Sequence, residues 1–246
     1  LRISGGLTLN GVVHLTGSNA QVRSIGDETF SGAGTIAFEG TTGLTRHLTI
    51  EGASTLTLAP TFTVTGGLGT IGSQAEVGGT NHLVNQGTIK TTGPGQLLTL
   101  APTGAWTNSG TIDVRGGGTV NLGGSLTTAD IQSLARLIRD ATSTIKLTGT
   151  LDNANQTLTL EVGPTWQLAG GRINGGTIAG APLVILAGGF LAAVTVSGTL
   201  TAPVGFSLSG GIAINQGGLI SVTGNYSQTV SGNLAIQIGG TADTKL

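Results

Sequence analysis

The side chains that most often carry out chemistry are few and scattered in this sequence. It has 11 carboxylates in 246 residues, and the one adjacent pair is Asp27 and Glu28, in the stretch SIGDETFSG. Neighbouring residues of a strand point to opposite faces, so these two carboxylates are not expected to act on one substrate. Acid–base catalysis on polysaccharides needs carboxylates that converge. We interpret the pair as a solvated turn.

Metal and nucleophile chemistry is also poorly supported. His14, His47 and His82 are too far apart in sequence to predict a shared metal ion, and we interpret them as surface polar residues. The chain has no Cys, which excludes disulfides and thiolate metal sites. The Gly cluster at 115–119 is followed by no helix pattern and does not predict a phosphate loop. We expect no catalytic residue, no metal, no cofactor and no enzymatic activity.

Four asparagines stand next to recurring turn motifs and are the main structural candidates. Asn at equivalent turns of a repetitive fold can form a hydrogen-bonded ladder that satisfies buried turn backbone. This would be a structural role. The candidates are Asn85, Asn108, Asn153 and Asn174.

The two tryptophans have two interpretations. Trp106 and Trp166 could stack against sugars as platforms on the surface, or they could fill the corners of the fold with large apolar side chains. The second interpretation is favoured, because an isolated Trp in a repetitive chain is more often core than ligand-binding surface.

Composition narrows the fold class. Gly accounts for 45 residues, charged residues for 9% and hydrophobic residues for 38%, and the mean hydropathy is positive. Disordered chains have the opposite balance. Many short strands joined by Gly-rich turns would bury Leu, Ile and Val without bulky aromatics. The net charge of −1 gives no electrostatic case for nucleic acid, and no apolar run approaches the length of a membrane span.

A short repeat runs along the chain. Gly-Thr-Ile or Gly-Thr-Leu begins at Gly34, Gly69, Gly87, Gly110, Gly149, Gly176 and Gly198. The intervals predict a period of roughly 20 residues, within the range of β-helical repeats. Apolar and polar residues alternate within each unit, as in the strand TLTL at 55–58, which is the signal of a half-buried strand. We predict one continuous all-β parallel solenoid over residues 1–246.

One segment departs from this pattern. Ile131, Leu134, Leu137 and Ile138 have helical spacing, and Thr128 is a candidate N-cap. We predict a short helical insertion near 128–140, packed on the side of the solenoid or covering a coil end. The alternative is a variant coil whose strand is rich in Leu.

Residues 145–180, with the motifs LTGTLDN, TWQLAGG and INGGTI, resemble repeats of giant exported bacterial proteins of the autotransporter-like and adhesin type. Residues 107–124 and 224–244 resemble neighbouring units of the same proteins. The resemblance implies a right-handed parallel β-helix, export, and roles in adhesion or fibre building, with no catalytic residues. The chain begins without Met and ends within a repeat, so we expect a fragment of a longer protein.

The function favoured by these observations is that of a structural rod, acting as a fibre subunit or adhesin stalk outside the cell or on the bacterial surface. The expected partners are further copies of the chain, stacked head-to-tail into a filament, or other parts of a larger surface protein, with glycans as weaker partners. Two alternatives stay open: a carbohydrate-binding or polysaccharide-degrading β-helix, and an ice-binding solenoid with Thr on flat faces.

Overall fold

The computed structural model describes residues 1–40, 45–91, 93–132 and 136–202. Beyond residue 202 it describes the backbone of five strands and the half-buried side chain of Ile220. Within this described part, the chain is almost entirely β-structure with one helix of four residues, α1 (Thr128–Ile131).

Seventeen strands precede α1. They are β1 (Arg2–Ile3), β2 (Leu7–Thr8), β3 (Val12–Leu15), β4 (Gln21–Ile25), β5 (Glu28–Ser31), β6 (Thr35–Phe38), β7 (Arg46–Glu51), β8 (Thr55–Leu58), β9 (Thr63–Gly66), β10 (Gly69–Gly72), β11 (His82–Asn85), β12 (Thr88–Lys90), β13 (Leu97–Ala101), β14 (Trp106–Asn108), β15 (Thr111–Asp113), β16 (Thr119–Leu122) and β17 (Ser125–Thr127).

The strands after α1 continue the same order. They are β18 (Leu137–Ile138), β19 (Thr144–Leu147), β20 (Thr150–Asp152), β21 (Thr157–Leu160), β22 (Thr165–Leu168), β23 (Arg172–Asn174), β24 (Thr177–Gly180), β25 (Leu183–Ile185), β26 (Phe190–Ala192), β27 (Thr195–Val196), β28 (Thr199–Ala202), β29 (Phe206–Ser209), β30 (Gly211–Ile214), β31 (Leu219–Val222), β32 (Tyr226–Gln228) and β33 (Asn233–Ile236).

These strands form five parallel sheets. Sheet 1 takes every third strand from β1 to β31, eleven in all. Sheet 2 holds β2, β5, β8, β11 and β14, and sheet 3 holds β3, β6, β9, β12, β15 and β18. Sheet 4 holds β17, β20, β23, β26, β29 and β32, and sheet 5 holds β21, β24, β27, β30 and β33. The predicted parallel β-solenoid is confirmed.

One turn of the chain around the axis, here called a coil, takes about 23 residues. Coil length varies, because Gly69 is paired with Leu98 whereas Leu183 is paired with Leu200. The longer coils carry surface loops such as residues 73–80, which lie outside the strand ladder. The period of roughly 20 residues expected from the sequence is therefore somewhat shorter than the mean coil, and individual coils depart from that mean in both directions.

The core is a column of stacked apolar side chains. In β8, Leu56 and Leu58 are fully buried while Thr55 and Thr57 lie on the outer face. Leu56 is in register with Leu83 of the next coil. No coil hides its apolar face alone, so stacking supplies the burial, at about 25 cal/mol for each Å² of apolar surface removed from water.

The Gly of the Gly-Thr-Ile motif is required by close approach between coils. A Cβ atom on Gly87 would lie 2.3 Å from the carbonyl oxygen of Phe62, and one on Gly110 would lie 2.2 Å from that of Gly87. These distances are far below van der Waals contact, so the backbones of successive coils pack directly on each other at this corner. The repeat in the sequence therefore records a contact between coils.

The predicted helical insertion is largely wrong. α1 covers a single turn, its N-cap is Thr127 instead of Thr128, and Leu137 and Ile138 form β18, paired with β15. Leu134 lies outside the described residues. The residues with helical spacing thus belong to two different elements, α1 and β18. The segment forms β18 because the edge of β15 has backbone groups whose hydrogen bonds a continued helix would leave unmade.

The coil made of β16, β17, α1 and β18, with described residues 119–132 and 136–138, is named the junction coil. Sheet 1 passes through it without interruption, since β16 pairs with both β13 and β19. Coils that precede the junction coil in the sequence are described as below it, and coils that follow it as above it. Sheet 2 ends below the junction coil at β14, and sheet 4 begins within it at β17. Sheet 3 ends within it at β18, and sheet 5 begins above it at β21.

Candidate functional site

A column of buried polar side chains follows one corner of the solenoid toward the junction coil. Asn85 and Asn108 are the last residues of β11 and β14 and lie one above the other in register. The Nδ2 of Asn85 donates to the Oδ1 of Asn108 at 2.8 Å, and both side chains are buried. Leu58 holds the equivalent position one coil earlier, so the polar column begins at Asn85.

Asp130 of α1 continues this column. Its Oδ1 accepts the backbone N–H of Asn108 at 2.9 Å, and its Oδ2 accepts the backbone N–H of Thr127 at 2.9 Å and the Thr127 hydroxyl at 2.7 Å. The Nδ2 of Asn108 donates to the carbonyl oxygens of Asp130 and Arg136, each at 3.1 Å. One carboxylate thus satisfies N–H groups on both sides of the gap between sheets 2 and 4.

The column resumes above α1. The hydroxyl of Thr128 donates to the Oδ1 of Asn153 at 2.7 Å, and the Nδ2 of Asn153 donates to the carbonyl oxygens of Gly175 and Thr177. The N–H of Asn153 donates to the carbonyl oxygen of Asn174. The Asn174 side chain is half-buried and accepts from Nε of Arg172 instead.

The four predicted asparagines thus lie at or just after strand ends, in two consecutive coils on each side of the junction coil. Among them, in the described residues, the side chains of Asn85 and Asn108 are joined directly. Sequence reasoning missed Asp130 and Thr128 as the links across the junction coil. The signal was present, because Thr127-x-x-Asp130 is a capping box with Asp at its third helical position. It also missed Asn81, which is buried and exchanges hydrogen bonds with Thr103 of the next coil.

Both tryptophans lie inside the solenoid. Trp106 is 2% exposed, and its Nε1 donates to the carbonyl oxygen of Gly123 at 2.7 Å. Trp166 is 1% exposed, and the guanidinium of Arg139 lies 5.4 Å from its ring centroid. Arg139 is paired with Glu161 at 3.1 Å. Rings in these positions fill the core, and neither presents a face to solvent on which a sugar could stack.

The prediction of a solvated turn is confirmed for Asp27, which is exposed at a bend, and is wrong for Glu28. Glu28 begins β5, is 5% exposed, and accepts the N–H groups of Gly5 and Gly6 from the preceding coil. Asp27 accepts the N–H of Thr55 from the following coil at 2.8 Å. The two carboxylates therefore bind backbone in opposite directions along the axis, and each satisfies a turn that no strand partner reaches.

The three histidines are in different environments. His14 is exposed and hydrogen-bonded to Glu39, and Nδ1 of the half-buried His82 lies 3.0 Å from the carbonyl oxygen of Ala105. His47 is 8% exposed, so its interpretation as a surface residue is wrong. The loop 73–80 covers it. In the described part of the chain, no group of three or more His, Asp or Glu is arranged to hold a metal ion.

The cover over His47 changes its electrostatics. Gln74 Nε2 lies 2.6 Å from Nδ1 of His47, and Glu76 of the same loop is 3.4 Å from Arg23. Burial lowers the pKa of His47 below its ordinary value of 6.5, and the negative charge of Glu76 opposes this shift. The neutral imidazole is therefore favoured beneath the loop.

A rank of threonines lies on the outer face of sheet 3. The four residues are in consecutive register and all are half-buried: Thr35, Thr63, Thr88 and Thr111. The neighbouring outward rank is mixed: Ala37, Thr65, Lys90 and Asp113. The face is thus regular in one row and irregular in the next.

Comparison of the chain with protein-family models, curated proteins and solved structures finds no match. What is established is the architecture, a β-solenoid. None of the helical structure in the described residues is long and apolar enough to cross a membrane.

Proposed function

We propose that this chain is a structural rod segment of an exported or surface-displayed bacterial protein, acting as a fibre subunit or an adhesin stalk. The observation that carries the proposal is sheet 1, in which eleven parallel strands are stacked along one axis. A repetitive ladder of this kind gives an elongated body whose length grows with the number of coils. Length at fixed width is what a stalk or fibre requires.

The interior supports a load-bearing role. Large side chains of successive coils are stacked without a break from Phe30 in β5 to Leu200 in β28, and most are fully buried. Close-packed protein interiors have low compressibility, so they transmit strain along the molecule. Polar groups at the corners are held by hydrogen bonds between coils, such as the pair Asn85 and Asn108.

The composition suits exposure outside a cell. The sequence has no Cys and no Met, the two residues whose sulfur is most readily oxidised. Charged residues make up 9% of the chain, so few groups change state with external pH. Together with the resemblance of residues 145–180 to repeats of giant exported proteins, this supports an extracellular or cell-surface location.

The first coil supports axial association. In the described residues, β1, β2 and β3 are each paired on one edge, with β4, β5 and β6. Ile3, Leu7 and Val13 on these strands are partly buried against the core. Edges of this kind pair with any suitable strand. We propose that a second copy of the chain stacks on this coil.

Negative-stain electron microscopy over a range of protein concentrations tests axial stacking. Filaments of uniform width are expected if copies stack head-to-tail, and the substitution Leu7→Lys should abolish them by placing a charge in the stacking face. Thr8→Lys is the matched control, because Thr8 is exposed on the outer face and should leave filaments intact. Isolated short rods at every concentration would reject self-assembly and leave the stalk role.

Surface location needs a separate test. Intact cells that express the full parent protein are treated with protease and probed with an antibody raised against this segment. The antibody signal should disappear, while a cytoplasmic marker protein stays intact. Protection of the segment in intact cells, with digestion after lysis, would reject the exported rod.

Ice binding is a second candidate, favoured by the threonine rank on sheet 3. Parallel strands place these hydroxyls and methyls at a repeat of about 4.8 Å, a regular array that can order water. The test is thermal hysteresis of the wild-type chain and of Thr63→Val/Thr88→Val. The control is Thr119→Val/Thr144→Val, which alters a pair in register on sheet 1. Loss with the first variant alone supports the candidate, and no hysteresis in the wild type rejects it.

A further inference from the structure

The junction coil differs from its neighbours in how it is joined to them. Every other coil boundary described along sheets 2 and 3 below it has a parallel strand pair on each sheet, as between β8 and β11 and between β9 and β12. Between β14 and β17, one isolated bridge joins Ala105 to Ser125. Beyond that bridge the two strands diverge, and a cleft of about 310 Å³ lies between them.

Side chains replace the missing ladder on this side. The N–H of Asn108, at the edge of β14, is accepted by the Asp130 carboxylate instead of by a strand carbonyl. The N–H of Thr127, at the end of β17, is accepted by the same carboxylate. The bonds that would be distributed along a strand pair are therefore concentrated on one residue.

A second interruption lies between the junction coil and the coil above it, where sheet 3 ends at β18 and sheet 5 begins at β21. β18 is paired with β15 below it, and β21 is paired with β24 above it. On the edge of β21 that faces the junction coil, the side-chain amide of Gln132 makes the two hydrogen bonds that a neighbouring strand would otherwise make. Its Nε2 donates to the carbonyl oxygen of Thr159 at 3.0 Å, and its Oε1 accepts the Thr159 N–H at 2.9 Å.

Sheet 1 has no such interruption. β13, β16 and β19 are joined by four registered residue pairs at each boundary. The core is also continuous, because Leu126, Ile131 and Leu137 of the junction coil are buried. The junction coil is therefore held to the preceding coil by sheet 1 and the pair β15–β18, and to the following coil by sheet 1 and the pair β17–β20. At each boundary, side-chain hydrogen bonds replace the strand pair on the third side.

We infer that the junction coil is a built-in opening point of the solenoid, at which the one side without a strand pair opens locally at each boundary while sheet 1 and the remaining strand pair hold. Local opening starts where few cooperative hydrogen bonds must break, and ladders break cooperatively whereas single side-chain bonds do not. This inference concerns the mechanics of the solenoid and holds whether or not the proposed location is correct.

Amide hydrogen exchange, resolved by NMR under native conditions, tests the inference. In the wild type, the amides of Asn108, Thr127 and Thr159 are expected to be less protected, by about tenfold or more, than those of Val120 and Leu122 in β16 of the same coil. Equal protection of the two groups would overturn the proposal.

A substitution tests the role of the carboxylate. Asp130→Asn keeps the shape but replaces one acceptor oxygen with a donor, and should accelerate exchange at Asn108 and Thr127 by about tenfold, while β16 is unchanged. Asp152→Asn is the control, because Asp152 lines the same cleft but is exposed, and its carboxylate accepts the N–H of Ala154 in its own turn instead of joining two coils. Uniform acceleration in all sheets, or no change at Asn108 and Thr127, would contradict a local opening.

A cross-link provides a measurement that does not depend on Asp130. Ala105 and Ser125 are bridge partners, and parallel neighbours are about 4.8 Å apart, within disulfide range. The chain has no native Cys, so Ala105→Cys/Ser125→Cys forms one defined disulfide. Exchange at Asn108 and Thr127 should be slower in the oxidised than in the reduced form of this variant. Identical exchange in both forms would overturn the opening point.

Discussion

At the scale of single residues, backbone contact between coils and the satisfaction of buried polar groups decide which side chains are tolerated. The Gly-Thr-Ile motif was visible in the sequence as a repeat. Its physical reason is that a carbonyl oxygen of the preceding coil lies too close to Gly87 and to Gly110 for either residue to carry a Cβ atom. The turn asparagines were also visible. Their partners were not, because Asp130 belongs to an element that interrupts the repeat.

Gly110→Ala is expected to destabilise the chain by about 2 kcal/mol or more, because its Cβ would meet the backbone carbonyl of Gly87 and force two coils apart. The free energy of unfolding in urea measures this. Gly11→Ala is the control, since nothing lies within 4 Å of a Cβ there, and its effect should stay within about 0.5 kcal/mol. Equal effects of the two variants would contradict direct backbone packing at the motif.

Asn108→Ala is expected to cost about 2–3 kcal/mol. It removes the Oδ1 acceptor of the Asn85 amide and the side-chain donor to the carbonyl oxygens of Asp130 and Arg136, of which the second keeps the N–H of Ile112. Asn121→Ala is the comparison variant, because its Nδ2 donates to a single hydroxyl, that of Thr99, on the outer face of sheet 1. Thermal unfolding of both variants distinguishes a buried link from a surface one, and a larger loss in Asn121→Ala would argue against the buried column.

At the scale of elements, tertiary edges override local spacing. Residues 128–140 have an apolar pattern of helical period, yet in their described part the helix is the single turn α1, and Leu137 and Ile138 pair with the edge of β15 instead. The loop 73–80 is a second example. Nothing in its sequence indicated that it covers sheet 1, and that cover is what buries His47 and Thr49.

Acidification is expected to weaken the cover formed by the loop 73–80. The pKa of His47 is lowered in the folded chain, so below about pH 6.5 the unfolded chain binds more protons and the free energy of unfolding falls as pH falls. Urea unfolding between about pH 8 and about pH 5 should show this slope in the wild type and lose part of it in His47→Gln.

His14→Gln is the control for this pH dependence, because His14 is exposed on sheet 3 and lies under no loop. It should keep the slope of the wild type. If His14→Gln removed the slope and His47→Gln retained it, the assignment of the pH dependence to the covered histidine would be refuted.

At the scale of the whole molecule, each coil contacts its two neighbours, and stability is close to a sum of nearest-neighbour terms. The parallel sheets make the chain quasi-one-dimensional, so the effect of a change should be felt in adjacent coils and fade beyond them. Sheet 1 extends this coupling through the junction coil, where the other sheets change over.

Core truncations should therefore be additive at a distance and coupled when adjacent. Leu56→Ala and Leu200→Ala lie far apart along the axis and their losses, each about 2–5 kcal/mol, should add within about 0.5 kcal/mol. Leu56→Ala and Leu83→Ala are in register on adjacent coils and should deviate from additivity by more than that. The double variants and urea unfolding measure both. Strong coupling of the distant pair would show that the solenoid does not behave as a chain of local contacts.

The sequence by itself determined the class of fold and its repeat. Gly-rich turns, alternating Leu and Thr, and the recurring Gly-Thr-Ile all follow from contacts that each coil makes with the next. The same sequence pattern therefore recurs from coil to coil. The tertiary structure alone decided the exceptions: the short α1, the buried positions of Glu28 and His47, and the exchange of sheets at the junction coil. These depend on which segment from another coil lies opposite a given residue, and a period read along the chain carries no information about that neighbour.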